Sequence, residues 1–243
     1  MNGCLRGHAV PARPRARLVC FPHAGGSANF FLPWRSAVPA DVELLAVQYP
    51  GRQDRFGEPP VSDMAGLVDG LLPDLDALDG PPTVFLGHSM GASVAYECVR
   101  RLAGKPALLV VSARPAPGLP APDEPYVGDD EEMLARLEKL GGLQVEALAH
   151  PELREVVLPV LRADYRLIET YRPEREARVD VPVLAAVGDR DPEVAVADVQ
   201  AWQESTTGEF TLEVFDGDHY YVDDHAGTLV AMALHRAGLV DRT

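Results

Sequence analysis

Residues 83–92, TVFLGHSMGA, pass from an apolar run of strand length into a helical pattern through the pentapeptide Gly87-His88-Ser89-Met90-Gly91. A GxSxG pattern alone is weak, but a strand before it and a helix after it make a sharp turn with the serine at its tip. Side chains at Gly87 or Gly91 would collide with neighbouring backbone in such a turn, and Ala92 keeps the same corner open. The helix that follows presents unsatisfied N–H groups and its positive dipole end beside Ser89. The segment therefore requires a parallel strand feeding a helix, with an exposed nucleophile between them.

The rest of the chain repeats that alternation. Apolar runs of strand length fall at 18–21, 42–47, 83–86, 107–111, 183–187 and 210–215, with helical periodicity at 62–78 and 90–102 and weaker patterns at 194–204 and 225–237. Such an order predicts an α/β fold, a mostly parallel sheet with helices on both faces. At 243 residues one core of this kind accounts for the whole chain. The alternation stops between about 113 and 179, too long a stretch to be structureless. Five prolines at 115–125 stiffen its start, an acid-led helix is expected at 129–140 with Gly141-Gly142 after it, and a second helix at about 151–171 carries a broad apolar stripe. A helical lid over about 113–179, inserted in a domain over 17–243, is expected. Residues 1–16 are expected to be a flexible arm: they are basic and proline-containing, without the apolar segment of a secretory signal.

A serine hydroxyl needs a base to take its proton during attack. Of seven histidines, His219 follows the last predicted strand directly, in DGDHYY, and is the expected base. His88 is pinned in the serine turn, His8 and His150 fall in the arm and the insertion, and His225 and His235 lie in the terminal helical pattern. The acid that orients the base should follow the preceding strand, where GDRDP offers Asp189 and Asp191; pattern does not separate them. The loop FPHAGGS after the first predicted strand has glycines that let backbone approach a reacting carbonyl, so the expected oxyanion donors are the N–H of Met90 and that of His23 or Ala24. No GxxxxGK[ST] or GxGxxG motif supports a phosphate-cradling alternative.

Composition narrows the partners. A formal net charge of −15 argues against nucleic acid or an anionic membrane. No apolar run is long enough for a membrane helix. Cys4, Cys20 and Cys98 are odd in number and widely spaced, which suits inert thiols in a cytoplasmic protein rather than disulfides or a metal site. No cofactor or metal is expected.

FPHAGGSANFF, AVQYPGRQDRFGEPP, GHSMGASVAYE, LPVLRADYRLIETYR, GDRDP and DGDHYY resemble, in order and spacing, the type II thioesterases that accompany polyketide and nonribosomal peptide synthetases. The resemblance covers the chain from about Arg17 onward. It implies the α/β-hydrolase fold with a helical lid, Ser89 as nucleophile, Asp191 as acid and His219 as base. It further implies hydrolysis of acyl groups from the phosphopantetheine thiol of carrier proteins, clearing stalled or misprimed groups from a synthase. A monomer is expected. Two rivals are a different esterase or acyltransferase on the same fold, and a non-catalytic receptor that uses the hydrolase pocket. Carrier proteins of this kind are acidic, so docking on so acidic a chain requires a local surface; Arg52 and Arg55, in a loop at a strand's carboxyl end, are the candidates.

Overall fold

The computed structural model of the chain describes residues 3–119, 130–131, 133–135, 151–174 and 176–240. In chain order its regular elements are β1 (Leu5–Ala9), β2 (Ala16–Phe21), β3 (Val42–Val47), α1 (Met64–Asp76), β4 (Thr83–His88), α2 (Met90–Arg101), β5 (Leu108–Ser112), α3 (Pro151–Thr170), β6 (Val183–Gly188), α4 (Val196–Gln200), β7 (Phe210–Phe215) and α5 (Val222–Arg236). The strands form one sheet of order β1-β3-β2-β4-β5-β6-β7. All neighbours pair in parallel except β1, which runs antiparallel to β3.

Successive residues along each buried strand serve opposite layers. In β2, Val19 and Phe21 join the core beneath α1 and α2, whereas Leu18 and Cys20 join the core beneath α5. That double burial is why these strands read as continuous apolar runs rather than alternating ones. α1 begins at Asp63, whose carboxylate accepts the Gly66 N–H at 2.8 Å and so satisfies one of the helix's orphan donors.

The expected flexible arm over 1–16 is corrected by β1. Leu5 pairs with Val47 and Arg6 with Ala46, Gln48 N–H donates to Cys4 O at 2.7 Å, and the Cys4 side chain is buried. The sequence LRGHA lacks an apolar signature because an edge strand is paired on one side only. Of the insertion, α3 is present as expected. A helical stretch at 130–131 and 133–135 supplies Met133, which packs with Leu158, Leu161 and Tyr165 of α3. The remainder of the expected lid, including Gly141-Gly142, lies outside the described residues. Among those described, no helix is long and apolar enough to cross a membrane.

The chain builds outward from β2 to β3 on one side and from β4 to β7 on the other, so the order reverses between β2 and β4. Crevices at the carboxyl ends of strands open at such a switch point. Here it separates the loop after β2 from the turn after β4, the two segments expected to hold the oxyanion donors and Ser89.

Candidate active site

The turn after β4 is as tight as its glycines suggested. A Cβ at Gly87 would lie 2.2 Å from Gly91 O, and one at Gly91 would lie 2.1 Å from Phe21 O. Backbone contact at those distances tolerates no side chain. Ser89 has φ 54 and ψ −120, a left-handed conformation that costs a non-glycine residue about 1–3 kcal/mol. Two bonds hold it there: Ser89 N–H donates to Ser112 O at 2.8 Å and Ala92 N–H to Ser89 O at 3.0 Å. The turn is thus fixed by β5 on one side and α2 on the other. Met90 is the first residue of α2, so its N–H has no acceptor within that helix.

The loops after β6 and β7 bring the expected acid and base together. His219 Nδ1 is 2.7 Å from Asp191 Oδ2, and the Asp191 side chain is fully buried. Its other oxygen accepts the N–H groups of Glu193 and Val194 at 2.9 and 3.1 Å, so both oxygens are anchored. Asp189 does something else. It accepts the Gly217 N–H at 3.0 Å, faces Arg190 and is about half exposed, the geometry of a loop tie. The ambiguity between the two aspartates, open in the sequence, is resolved in favour of Asp191 as the partner of His219. Asp218 accepts the Tyr220 N–H at 2.8 Å, and Asp223 and Asp224 occupy the first turn of α5, where a helix dipole favours carboxylates.

Three imidazoles and a phenol crowd this corner. The His88 ring lies 5.3 Å from that of His219 and 5.9 Å from that of His23, and Tyr220 packs edge-on against His219 at 5.4 Å. His88 reaches Ser112 Oγ at 2.9 Å, which meets Tyr221 OH at 2.7 Å. Neither Ser112 nor Tyr221 was recognisable in the sequence as part of this corner. Burial, reinforced by nearby His219 and Arg52, pushes the pKa of His23 down to about 3; burial, then His219 and His23, pushes His88 down as well. Both stay neutral beside His219.

That neutrality has a cost in acid. The unfolded chain protonates His23 near pH 6.5 while the fold refuses the proton, so stability falls as pH drops from there toward about 3, by up to about 1.4 kcal/mol per pH unit, and the lowered His88 acts in the same direction. Replacing His23 by Gln should flatten the acid limb of a urea-unfolding series taken across that range. An unchanged slope would mean that His23 is protonated in the folded protein.

In the loop after β2, Gly25 N–H donates to Asp164 Oδ2 at 2.7 Å and Gly26 N–H to His23 O at 3.0 Å. His23 and Ala24, the expected oxyanion donors, directly precede these two amides in the loop. Asp164, from α3, is a site residue that the sequence reading missed. Its one signal was an aspartate inside an apolar stripe, between Leu161 and Tyr165, where burial demands a partner.

That partner corrects the expectation for Arg52. Its side chain is only 8% exposed and makes a bidentate pair with Asp164, Nη1 to Oδ2 at 2.7 Å and Nη2 to Oδ1 at 2.8 Å. A guanidinium enclosed in this way cannot dock another protein. Arg55 is also occupied, donating to Gln48 O at 2.8 Å and to Glu58 Oε1 at 2.8 Å. Both arginines brace the loops at the carboxyl end of β3. A cavity of about 570 Å³ opens beside His23 and Tyr220, walled by Phe30, Pro33, Trp34 and Ala226.

A doubly wound parallel sheet with a serine strained at the end of β4, and an aspartate-oriented histidine after β7, defines an α/β-hydrolase. The family model of the thioesterase domain matches residues 16–236, and the chain belongs to that family. It is 40% identical over 237 residues to the "Probable cadicidin biosynthesis thioesterase" of Streptomyces griseus, covering 95% of this chain and 66% of that protein. It is 40% identical over 225 residues to the thioesterase PikA5 of Streptomyces venezuelae, covering 90% of this chain and 79% of the other. Among solved structures it resembles BorB, a type II thioesterase from the borrelidin biosynthetic cluster, with TM-score 0.87 and 39% identity over 98% of this chain and 99% of that one.

Proposed function

We propose that this thioesterase hydrolyses acyl groups from the phosphopantetheine thiol of carrier proteins in polyketide or nonribosomal peptide synthesis, through an acyl-enzyme on Ser89. The observation that carries the mechanism is the buried Asp191–His219 pair beside the strained Ser89 turn. Asp191 fixes the tautomer in which Nδ1 carries the proton, leaving Nε2 to act as base. His219 takes the Ser89 proton as Oγ attacks the thioester carbonyl, and the oxyanion is held by the N–H of Met90 and that of His23 or Ala24. The tetrahedral intermediate collapses with loss of the pantetheine thiol, which takes the proton from His219. Water, deprotonated by the same histidine, attacks the acyl-serine; the free acid leaves and Ser89 recovers its proton. The biological role is editing, the removal of stalled or misprimed acyl groups. A cytoplasmic monomer suits that role, and the three buried free cysteines are consistent with a reducing compartment.

A panel of acyl-carrier proteins, acyl-pantetheine thioesters and matched oxygen esters tests the reading. The thioesters should be turned over with the higher kcat/KM; preference for oxygen esters would reassign the enzyme. Charge makes a further demand. Two acidic proteins repel at long range, so raising salt from about 20 to 300 mM should raise kcat/KM for the carrier substrate and leave the small thioester unchanged. A fall with salt would reveal local cationic docking strong enough to outweigh the −15 net charge.

A further inference from the structure

We infer that Asp164 and Arg52 are positioning residues that lock the oxyanion loop to the lid helix α3, so that this helix helps set the geometry of the catalytic hole. The inference rests on the proposed acyl-enzyme mechanism and gives a role to two residues outside the triad and the serine turn.

The contacts converge on one short segment from two directions. Asp164 Oδ2 accepts both the Gly25 N–H and Arg52 Nη1, each at 2.7 Å. The same Arg52 nitrogen donates to Gly26 O at 3.0 Å. The loop is therefore gripped by an N–H on one residue and a carbonyl on the next, through an ion pair whose carboxylate is 2% exposed. Gly25 has φ 74, the left-handed conformation present where its amide meets α3. A second, apolar contact lies alongside: Ala24 packs against the cluster of Met133, Leu158, Leu161 and Tyr165. Ala24 and Gly25 thus both lean on the insertion. Further back, Arg52 lies over the Tyr49 ring at 5.3 Å, and Tyr49 OH donates to Pro22 O at 3.2 Å, tying the start of the same loop to the end of β3.

Such a grip has a catalytic reason. An oxyanion donor works only when it lies about 2.7–3.1 Å from the developing charge, and a displacement of about 1 Å can cost ~100-fold in rate. The amides of His23 and Ala24 precede Gly25 directly, so whatever fixes Gly25 fixes them. A loop held only by its own turn would lack that constraint.

The test uses paired substitutions, because removing one partner would leave the other charge buried. Arg52→Met with Asp164→Leu removes the brace without an orphaned ion. Arg52→Gln with Asp164→Asn keeps an amide oxygen for the Gly25 N–H. With a small acyl-pantetheine thioester, the Met/Leu variant should lose ~100-fold in kcat with KM within ~2-fold of wild type. The Gln/Asn variant should recover at least ~10-fold of that loss. Should the Met/Leu protein fail to melt cooperatively, the Gln/Asn variant carries the test alone, with an expected ~3–10-fold loss in kcat at unchanged KM. Wild-type kcat in the folded Met/Leu variant, a loss appearing in KM, or no rescue by Gln/Asn would overturn the inference; so would unchanged kcat in Gln/Asn when it stands alone. Ser89→Ala assayed alongside separates the two readings. Turnover remaining there defeats the acyl-enzyme, whereas an inactive Ser89→Ala with a fully active Met/Leu variant defeats the brace alone.

Discussion

Ser89→Ala should lower turnover of an acyl thioester by about 10⁶-fold while leaving the fold intact. The residue is only partly buried, and in the proposed mechanism its hydroxyl serves the reaction rather than packing. Its backbone adds a second expectation. At φ 54 any side chain is strained, so Ser89→Gly should be equally inactive and yet more stable than wild type, by about 1–2 kcal/mol. Circular-dichroism melts of the three proteins check this. A glycine variant no more stable than wild type would show that the turn carries little strain.

Asp191→Asn should cost about 10⁴-fold in rate, because the amide no longer selects the His219 tautomer with its proton on Nδ1 or balances the imidazolium. The loop itself should survive, since an asparagine oxygen can still accept the Glu193 and Val194 amides that Asp191 Oδ1 holds. Asp189→Asn, at the half-exposed tie to Gly217, should change rate far less. Steady-state kinetics on one small thioester compares them. The opposite ranking would transfer the acid's role to Asp189 and require the Asp191–His219 bond to be incidental.

The two aspartates show where sequence reasoning reached its limit. Both stand in GDRDP after a buried strand, and turn chemistry accommodates either; only the path of the loop after β7 decides which one His219 meets. The parallel strands were legible because burial on both faces forces continuous apolar runs, and the nucleophile turn because glycine has no substitute at Gly87 or Gly91 when backbone stands 2.2 and 2.1 Å from a would-be Cβ. β1 was not legible, since LRGHA pairs along one edge and packs only partly, leaving no hydrophobic period. Arg52 misled for a related reason. A charged residue in a loop at a strand's carboxyl end is normally solvated, and its burial depends on an aspartate 112 residues away in the chain. Long-range pairing of this kind leaves no local pattern.

The brace also explains why the insertion cannot be treated as a mere cover. The middle of α3 is buried at Leu161, Asp164 and Leu167, whereas Leu153 and Val156 in its first half are exposed. The middle of the helix, through Asp164, meets the loop after β2 at Gly25 and the loop after β3 at Arg52. Breaking the buried Arg52–Asp164 pair from one side alone should cost about 3–5 kcal/mol, so single substitutions there confound stability with rate.

A covalent intermediate on Ser89 can be trapped with a serine-directed alkyl phosphonate, whose tetrahedral phosphorus mimics the attacked carbonyl. One phosphonyl group per chain is expected, located on the Ser89 peptide by mass spectrometry, with acyl-carrier hydrolysis lost in proportion to labelling. Full labelling of Ser89 with hydrolysis intact, or stoichiometric loss of activity through a different residue, would contradict it.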